Sequence, residues 1–345
     1  MNYPSVRSSI SRLSSLRIAS IFALVGLFLF AFAGAAQQAA PAAPATAAQA
    51  APSQAPSAPA PAAALVFPKP NPANFTASSP TKETVDAFLQ ANWGFDDSRL
   101  WQVQAILKTQ VEGISKVLIL VGDKTGKLKP SVIVFFVLPG EKYIFASDDI
   151  VPFGEHPFAE NHAILQARAD GPYRGAASKD LEIVEFADFQ CPHCKEAQPN
   201  MDKLAVDFPK ARFIYQSLPL PQHTAAMGAA EYGVCVNKLG GSDAFFTFAA
   251  AVYDGQDGLA TADGATLTLN SAVTKAGLDP AKISACASTP ETRAVVDSSV
   301  KLALDMKISQ TPTLFINGRP VSPGVPYETL KQMVQYQAKA DGVAK

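Results

Sequence analysis

The stretch Leu181–Cys194, LEIVEFADFQCPHC, constrains the fold more than any other part of the chain. Leu181–Phe186, apolar at four of six positions, reads as a buried strand. Cys191-Pro192-His193-Cys194 follows after a short turn. Ala197, Met201, Leu204 and Phe208 then recur at helical spacing. The two cysteines therefore stand at a strand-to-helix junction, with Cys191 at the helix start. Pro192 suits the first helical turn, where its missing N–H has no partner to lose.

That placement has chemical consequences. The thiolate is the nucleophile in disulfide exchange, and an ordinary cysteine titrates near ~8.5. Unpaired backbone N–H groups and the helix dipole favour an anion at the helix start. A thiol held near ~3.5, the low end for such motifs, needs roughly 7 kcal/mol of help. The dipole supplies at most ~2 kcal/mol. Direct N–H···S⁻ hydrogen bonds and the charge of His193 are expected to supply the rest. Stabilising the reduced thiolate this far makes the disulfide an oxidant, so Pro-His between the cysteines points to disulfide donation.

Zinc is the structural rival for C-x-x-C, and it needs a second ligand pair. Cys235 and Cys286 are the only other cysteines, far apart and without an adjacent histidine. Neither has the helix-start context of Cys191. An even leftover pair in an exported chain reads as a structural disulfide, with a second redox centre as the alternative. No metal or organic cofactor is implied.

The reading of export comes from the first 36 residues. Arg7, Arg12 and Arg17 precede Ile18–Phe32, a 15-residue run whose only polar member is Ser20, and small residues follow at Ala33–Ala36. A positive start, a short apolar run and a small-residue exit describe a secretory signal, with an uncleaved anchor as the alternative. Either places the remainder outside the cytoplasm, where disulfides persist. Gln37–Ala64 contains 15 alanines, 6 prolines and no charge, and residues 37–74 read as a linker without a packed core. The chain has 29 basic and 30 acidic residues; setting aside the three arginines leaves net −4, which argues against nucleic-acid binding.

Residues 75–156 read as a small α+β domain. Ser79-Pro80 is expected to open a helix carrying Val85, Phe88 and Leu89. Trp101–Leu107, Lys116–Val121, Ser131–Leu138 and Lys142–Ala146 are strand-like, with a turn at Pro139-Gly140. His156 and His162 have no matching ligand cluster and read as solvated or core histidines. Residues 157–174 are expected to form a connecting helix and linker, closed by Gly171-Pro172.

From about Gly175 the chain resembles the DsbA-like thiol:disulfide oxidoreductases of the thioredoxin superfamily. IVEFADFQCPHC resembles their active-site strand and helix, ARFIYQSLPL with His223 their second strand and following turn, and QTPTLFINGRP their cis-proline loop. The resemblance implies an α/β thioredoxin fold over 175–345 with a helical insertion at 221–306. It implies that Cys191 is an exposed attacking sulfur and Cys194 the buried resolving one. Thr311 and Pro312 would form the substrate-pairing loop, and Glu185 a buried acid that relays protons to Cys194. A surface role is the alternative for Glu185, but Val184 and Phe186 beside it are apolar. His223 matches a frequent family position without an evident mechanism.

The sequence thus predicts an exported enzyme that exchanges disulfides with cysteine-containing proteins, acting as an oxidant. The family suggests a membrane redox partner for reoxidation. An isomerase or reductase, like the DsbC and DsbG type and dimerising through residues 75–156, is the alternative. A non-enzymatic, chaperone-like binding protein retaining the fold is a third reading.

Overall fold

The computed structural model describes residues 65–343, apart from 127, 128 and 323. The expected signal segment and most of the linker lie outside the described residues. The described residues belong to one compact unit and form two five-stranded sheets.

The first sheet is an antiparallel meander of β1 (Arg99–Lys108), β2 (Ser115–Asp123), β3 (Ser131–Val137), β4 (Tyr143–Ala146) and β5 (Asp149–Pro152), paired in that order. Side chains alternate between faces, and the register lines Val103, Ile119 and Val117 up on one of them. That face packs on Val85, Phe88 and Leu89 of α1 (Lys82–Trp93). The opposite face keeps Val132, Val134, Phe145 and Ile150 exposed. The sequence pattern places the start of α1 at Ser79-Pro80. The structure begins it at Lys82, because the Thr81 hydroxyl accepts from the Thr84 N–H as the cap. The Ser79–Pro80 bond is cis. Part of the expected linker is ordered: Gln104 donates to the Pro68 carbonyl at 3.1 Å, and the Asn71 side chain caps a helical turn at Pro72–Asn74.

After α2 (Ala159–Arg168) the second sheet begins with β6 (Tyr173–Gly175), a strand the sequence reading missed. It has Gly171-Pro172 just before it and only three residues of its own. The remaining strands are β7 (Glu182–Ala187), β8 (Arg212–Ser217), β9 (Thr313–Ile316) and β10 (Arg319–Val321), in the order β10-β9-β7-β8-β6. β7 and β8 are parallel, joined by the crossover helix α3 (Pro192–Asp207); β7 and β9 are antiparallel.

Strand β7 is buried at all six positions. Ile183 faces Met201 and Leu204 of α3 and Leu330 and Val334 of α8 (Tyr327–Ala340). Val184 and Phe186 face Leu165 of α2 and Leu302 of α7 (Pro290–Asp305). The period of two therefore turns Glu185 toward the α3 side. The β9–β10 turn is Asn317-Gly318, with φ of 43° and 79°, the pair of positive values that a two-residue hairpin requires. A Cβ on Gly318 would lie 2.4 Å from the Phe158 carbonyl oxygen and the His162 nitrogen.

The insertion between β8 and β9 is helical: α4 (Ala226–Asp254), α5 (Ala262–Lys275), α6 (Pro280–Ala287) and then α7. α4 breaks at Gly241, where φ is 78°, and a second helical segment follows it. Cys235 of α4 and Cys286 of α6 are joined in a disulfide.

The two sheets meet at Arg319. This side chain, 3 % exposed, donates to the Asn92 carbonyl at 3.1 Å, to the Ala91 carbonyl, and to Gln337 Oε1 at 3.0 Å. The first two acceptors are the unpaired carbonyls that end α1, where the helix dipole favours a cation. Burial lowers its pKa only to about 10, so it stays charged near neutrality. No helix among the described residues is long and apolar enough to cross a membrane.

Candidate active site

Cys191 is the N-cap of α3 and Pro192 its first residue. Cys194 lies one turn further in, wholly buried, and both thiols are free. The cap position follows from the sequence: Cys191 is extended, with φ −78° and ψ 121°, and Pro192 fixes the first helical φ.

The two sulfurs have opposite environments. The Cys191 thiol falls to about 5: the Cys194 thiol donates to it, and burial opposes this. Thr311 and the backbone N–H groups of Cys194 and His193 lower it further. The Thr311 hydroxyl is buried and makes no hydrogen bond among the described residues. The protonated thiol can instead donate to the Thr311 carbonyl at 3.4 Å. Cys194 is pushed far up, first by giving its hydrogen bond to Cys191 and then by burial. One thiol is thus prepared as the anion and the other as its donor.

One expectation needs correction. Cys191 is not an exposed residue; only 4 % of it is accessible, because Thr311 closes over its sulfur. The His193 imidazole points outward and pairs with Glu196 at 3.0 Å; its pKa is raised first by that pair and also by the charge on Cys191. The His193 backbone N–H also helps hold the thiolate.

The Thr311–Pro312 bond is cis, and this loop faces Cys191. A groove of about 610 Å³ runs beside the pair, lined by His193, Met201, Pro312, Val325 and Leu330, with Glu185 also on its wall. Glu185 is 5 % exposed, and burial raises it to about 7 against the pull of Arg174 and Gln198. Gln198 Nε2 bridges it, at 3.1 Å to the Glu185 carboxylate and 3.2 Å to the Cys194 carbonyl. Cys235 and Cys286 lie apart from this chemistry, bonded to each other.

Several residues at the site went unread in the sequence. Asp188 is one, and Gln198 and Gln256 are others. Gln256, at the end of the insertion's first helix, donates to the Phe189 carbonyl at 2.8 Å and the Cys191 carbonyl at 3.0 Å. Buried Tyr215 and Tyr253 join their hydroxyls at 3.1 Å, and burial keeps both neutral. Only the triplet Ala187-Asp188-Phe189 before the cysteines offered a signal, an acid between two apolar residues.

The thioredoxin family profile Thioredoxin_4 matches residues 168–336. This part of the chain is a thioredoxin-family domain. Solved structures similar to the thioredoxin domain include Proteus mirabilis ScsC in a transitional conformation: 22 % identity, 53 % of this chain and 79 % of that one, TM-score 0.44. DsbA2 of Pseudomonas aeruginosa shares 27 % identity over 48 % of this chain and 93 % of its own, TM-score 0.41. BdbD of Bacillus subtilis shares 20 % over 49 % and 93 %, TM-score 0.42. Among curated proteins, the Na(+)/H(+) antiporter NhaA 3 of Salinispora tropica is 31 % identical over 147 residues, 42 % of this chain. NhaA 1 of Salinispora arenicola is 30 % identical over 153 residues. Each match spans 21 % of the antiporter's own length.

Proposed function

We propose that the protein is an exported thiol:disulfide oxidoreductase that donates the Cys191–Cys194 disulfide to cysteine-containing proteins. The observation that carries this reading is the asymmetry of the pair, with Cys191 held near 5 and Cys194 driven the other way. A substrate thiolate attacks Cys191 Sγ, a mixed disulfide forms there, and Cys194 leaves as the thiolate. Glu185, poised near 7, passes a proton toward Cys194. A second substrate thiolate then attacks the substrate sulfur of the mixed disulfide and releases Cys191 as its stable anion. Thr311 and Pro312 present the backbone edge on which an extended substrate segment pairs. Pro192 and the His193 N–H shape the anion site. Reoxidation calls for a membrane redox partner, and the N-terminal segment with its arginines and apolar run directs export.

The test is the reduction potential of the pair, equilibrated against glutathione, with the Cys191 thiolate titrated alongside. The expected result is a potential toward roughly −120 mV and a thiolate midpoint in the acid range. A value near roughly −270 mV would sink the oxidant role. The open apolar face of the first sheet favours a second reading, an isomerase or reductase dimerising through residues 75–156. Sedimentation of the purified chain separates the two: a monomer supports the oxidant, a dimer the isomerase.

A further inference from the structure

Asp188 touches both cysteines through its backbone. Its N–H points at Cys194 Sγ at 3.5 Å, and its carbonyl accepts the Cys191 N–H at 3.1 Å. Its carboxylate is fully buried and accepts three donors: the Gln190 N–H at 2.7 Å, the Leu220 N–H at 2.8 Å and His223 Nδ1 at 2.7 Å. Two of these donors are main chain. His223 is the one side chain among them, and at 20 % exposure it also lies between the carboxylate and solvent.

From this geometry we propose that His223 is a positioning residue. By holding the Asp188 carboxylate it aims the Asp188 N–H at the sulfur of Cys194. The inference rests on the disulfide-exchange reading above. When a substrate thiolate attacks Cys191 Sγ, the electron pair of the Cys191–Cys194 bond departs on Cys194 Sγ. The Asp188 N–H meets that developing charge, as a fixed donor in a site closed to water. The reverse step, attack by Cys194 on a mixed disulfide, uses the same contact. In the other exchange, in which the substrate's second thiolate releases Cys191, no bond to Cys194 forms or breaks, and its sulfur gains no charge for the Asp188 N–H to meet. His223 therefore acts on one of the two steps.

The insertion holds the same loop from its other side. Gln190 Oε1 accepts the Ala225 N–H at 2.8 Å, and Gln256 grips the Phe189 and Cys191 carbonyls. With these clamps in place, loss of His223 frees the Asp188 end of the loop alone.

The experiment follows the oxidised protein with glutathione as a single-thiol probe. The first glutathione opens the disulfide and stays on Cys191; the second displaces Cys191 and leaves as glutathione disulfide. His223→Ala is expected to slow the first step about tenfold, the effect of losing one hydrogen bond to a charged group. The second step is isolated by loading glutathione on Cys191 in a Cys194→Ser background, and there His223→Ala is expected to change nothing. His223→Asn, whose Nδ2–H can stand where Nδ1–H stood, is expected to restore the first step. His223→Leu replaces the alanine variant if that one does not fold. Equal first-step rates in the wild type and the alanine variant overturn the inference. So does equal slowing of both steps, failure of asparagine to restore the rate, or failure of both the alanine and leucine variants to fold. A wild-type protein that does not react with glutathione overturns the exchange reading itself, and the inference with it.

Discussion

The second sheet is covered on both faces, α3 and α8 against one and α2 and α7 against the other, so β7 is buried from end to end. The first sheet is covered on one face alone, by α1, and Val132, Val134, Phe145 and Ile150 stay exposed on the other. Double cover traps polar groups away from water, and it is there that Glu185, Asp188 and the two thiols are found. Burial raises Glu185, and the hydrogen bond between the two thiols lowers Cys191 and raises Cys194. The first sheet buries Ser115 and Asp123 but carries no cysteine; its open face offers area rather than chemistry. The comparison teaches that reactivity here follows enclosure, and that the N-terminal region's contribution is to be sought in what it contacts.

The largest effect should come from the enclosed side. Replacing both Cys235 and Cys286 by serine reopens a 51-residue separation and is expected to cost about 4 kcal/mol in a denaturant titration. Thiol exchange at Cys191 should keep its rate below the new melting point. A lost rate in the still-folded variant would mean the second pair takes part in the chemistry.

Next comes Glu185. Its pKa is raised in the folded protein, so the sign is that of a buried acid: stability is greatest below the unfolded value near 4.5 and falls as pH rises through about 7. The fall should amount to about 3 kcal/mol for the reduced protein. Glu185→Gln should flatten it, and should remove the inflection near neutrality from the rate of Cys194 chemistry. An unchanged slope in the variant would assign that pH dependence to another group.

Arg319→Met probes the junction between the sheets. Loss of its bonds to Ala91, Asn92 and Gln337 should destabilise the protein by about 2 kcal/mol, and should free the end of α1 to exchange its amide hydrogens faster. Slower exchange or unchanged stability would show that the sheets dock without it. The smallest effect is expected on the open face: Val132→Lys with Ile150→Lys should shift stability by no more than about 0.5 kcal/mol. A loss well beyond that, accompanied by a change in sedimentation, would mean the face is covered in solution and would break the contrast.

Much of the scaffold was readable because local rules sufficed. The Thr289-Pro290 helix start, the Asn317-Gly318 hairpin and the apolar period of β7 each encode their element within a few residues. β6 was not readable, since a three-residue edge strand exists only through its pairing with β8. At the site, Cys191, Cys194 and Pro312 were marked by motif. Asp188 and Gln256 were not, because their value depends on partners 35 and 65 residues away.

By itself the sequence determined that a cysteine would cap a helix after a buried strand, since alternation, proline and spacing act over short range. Which groups would charge that cysteine was a tertiary decision. The ring of His193 pairs outward with Glu196, while Cys194, Thr311 and backbone N–H groups lower the Cys191 thiol. The physical reason is that a thiolate answers to hydrogen-bond donors within reach and to the water excluded around it. Both are set by what the folded chain brings together across long separations.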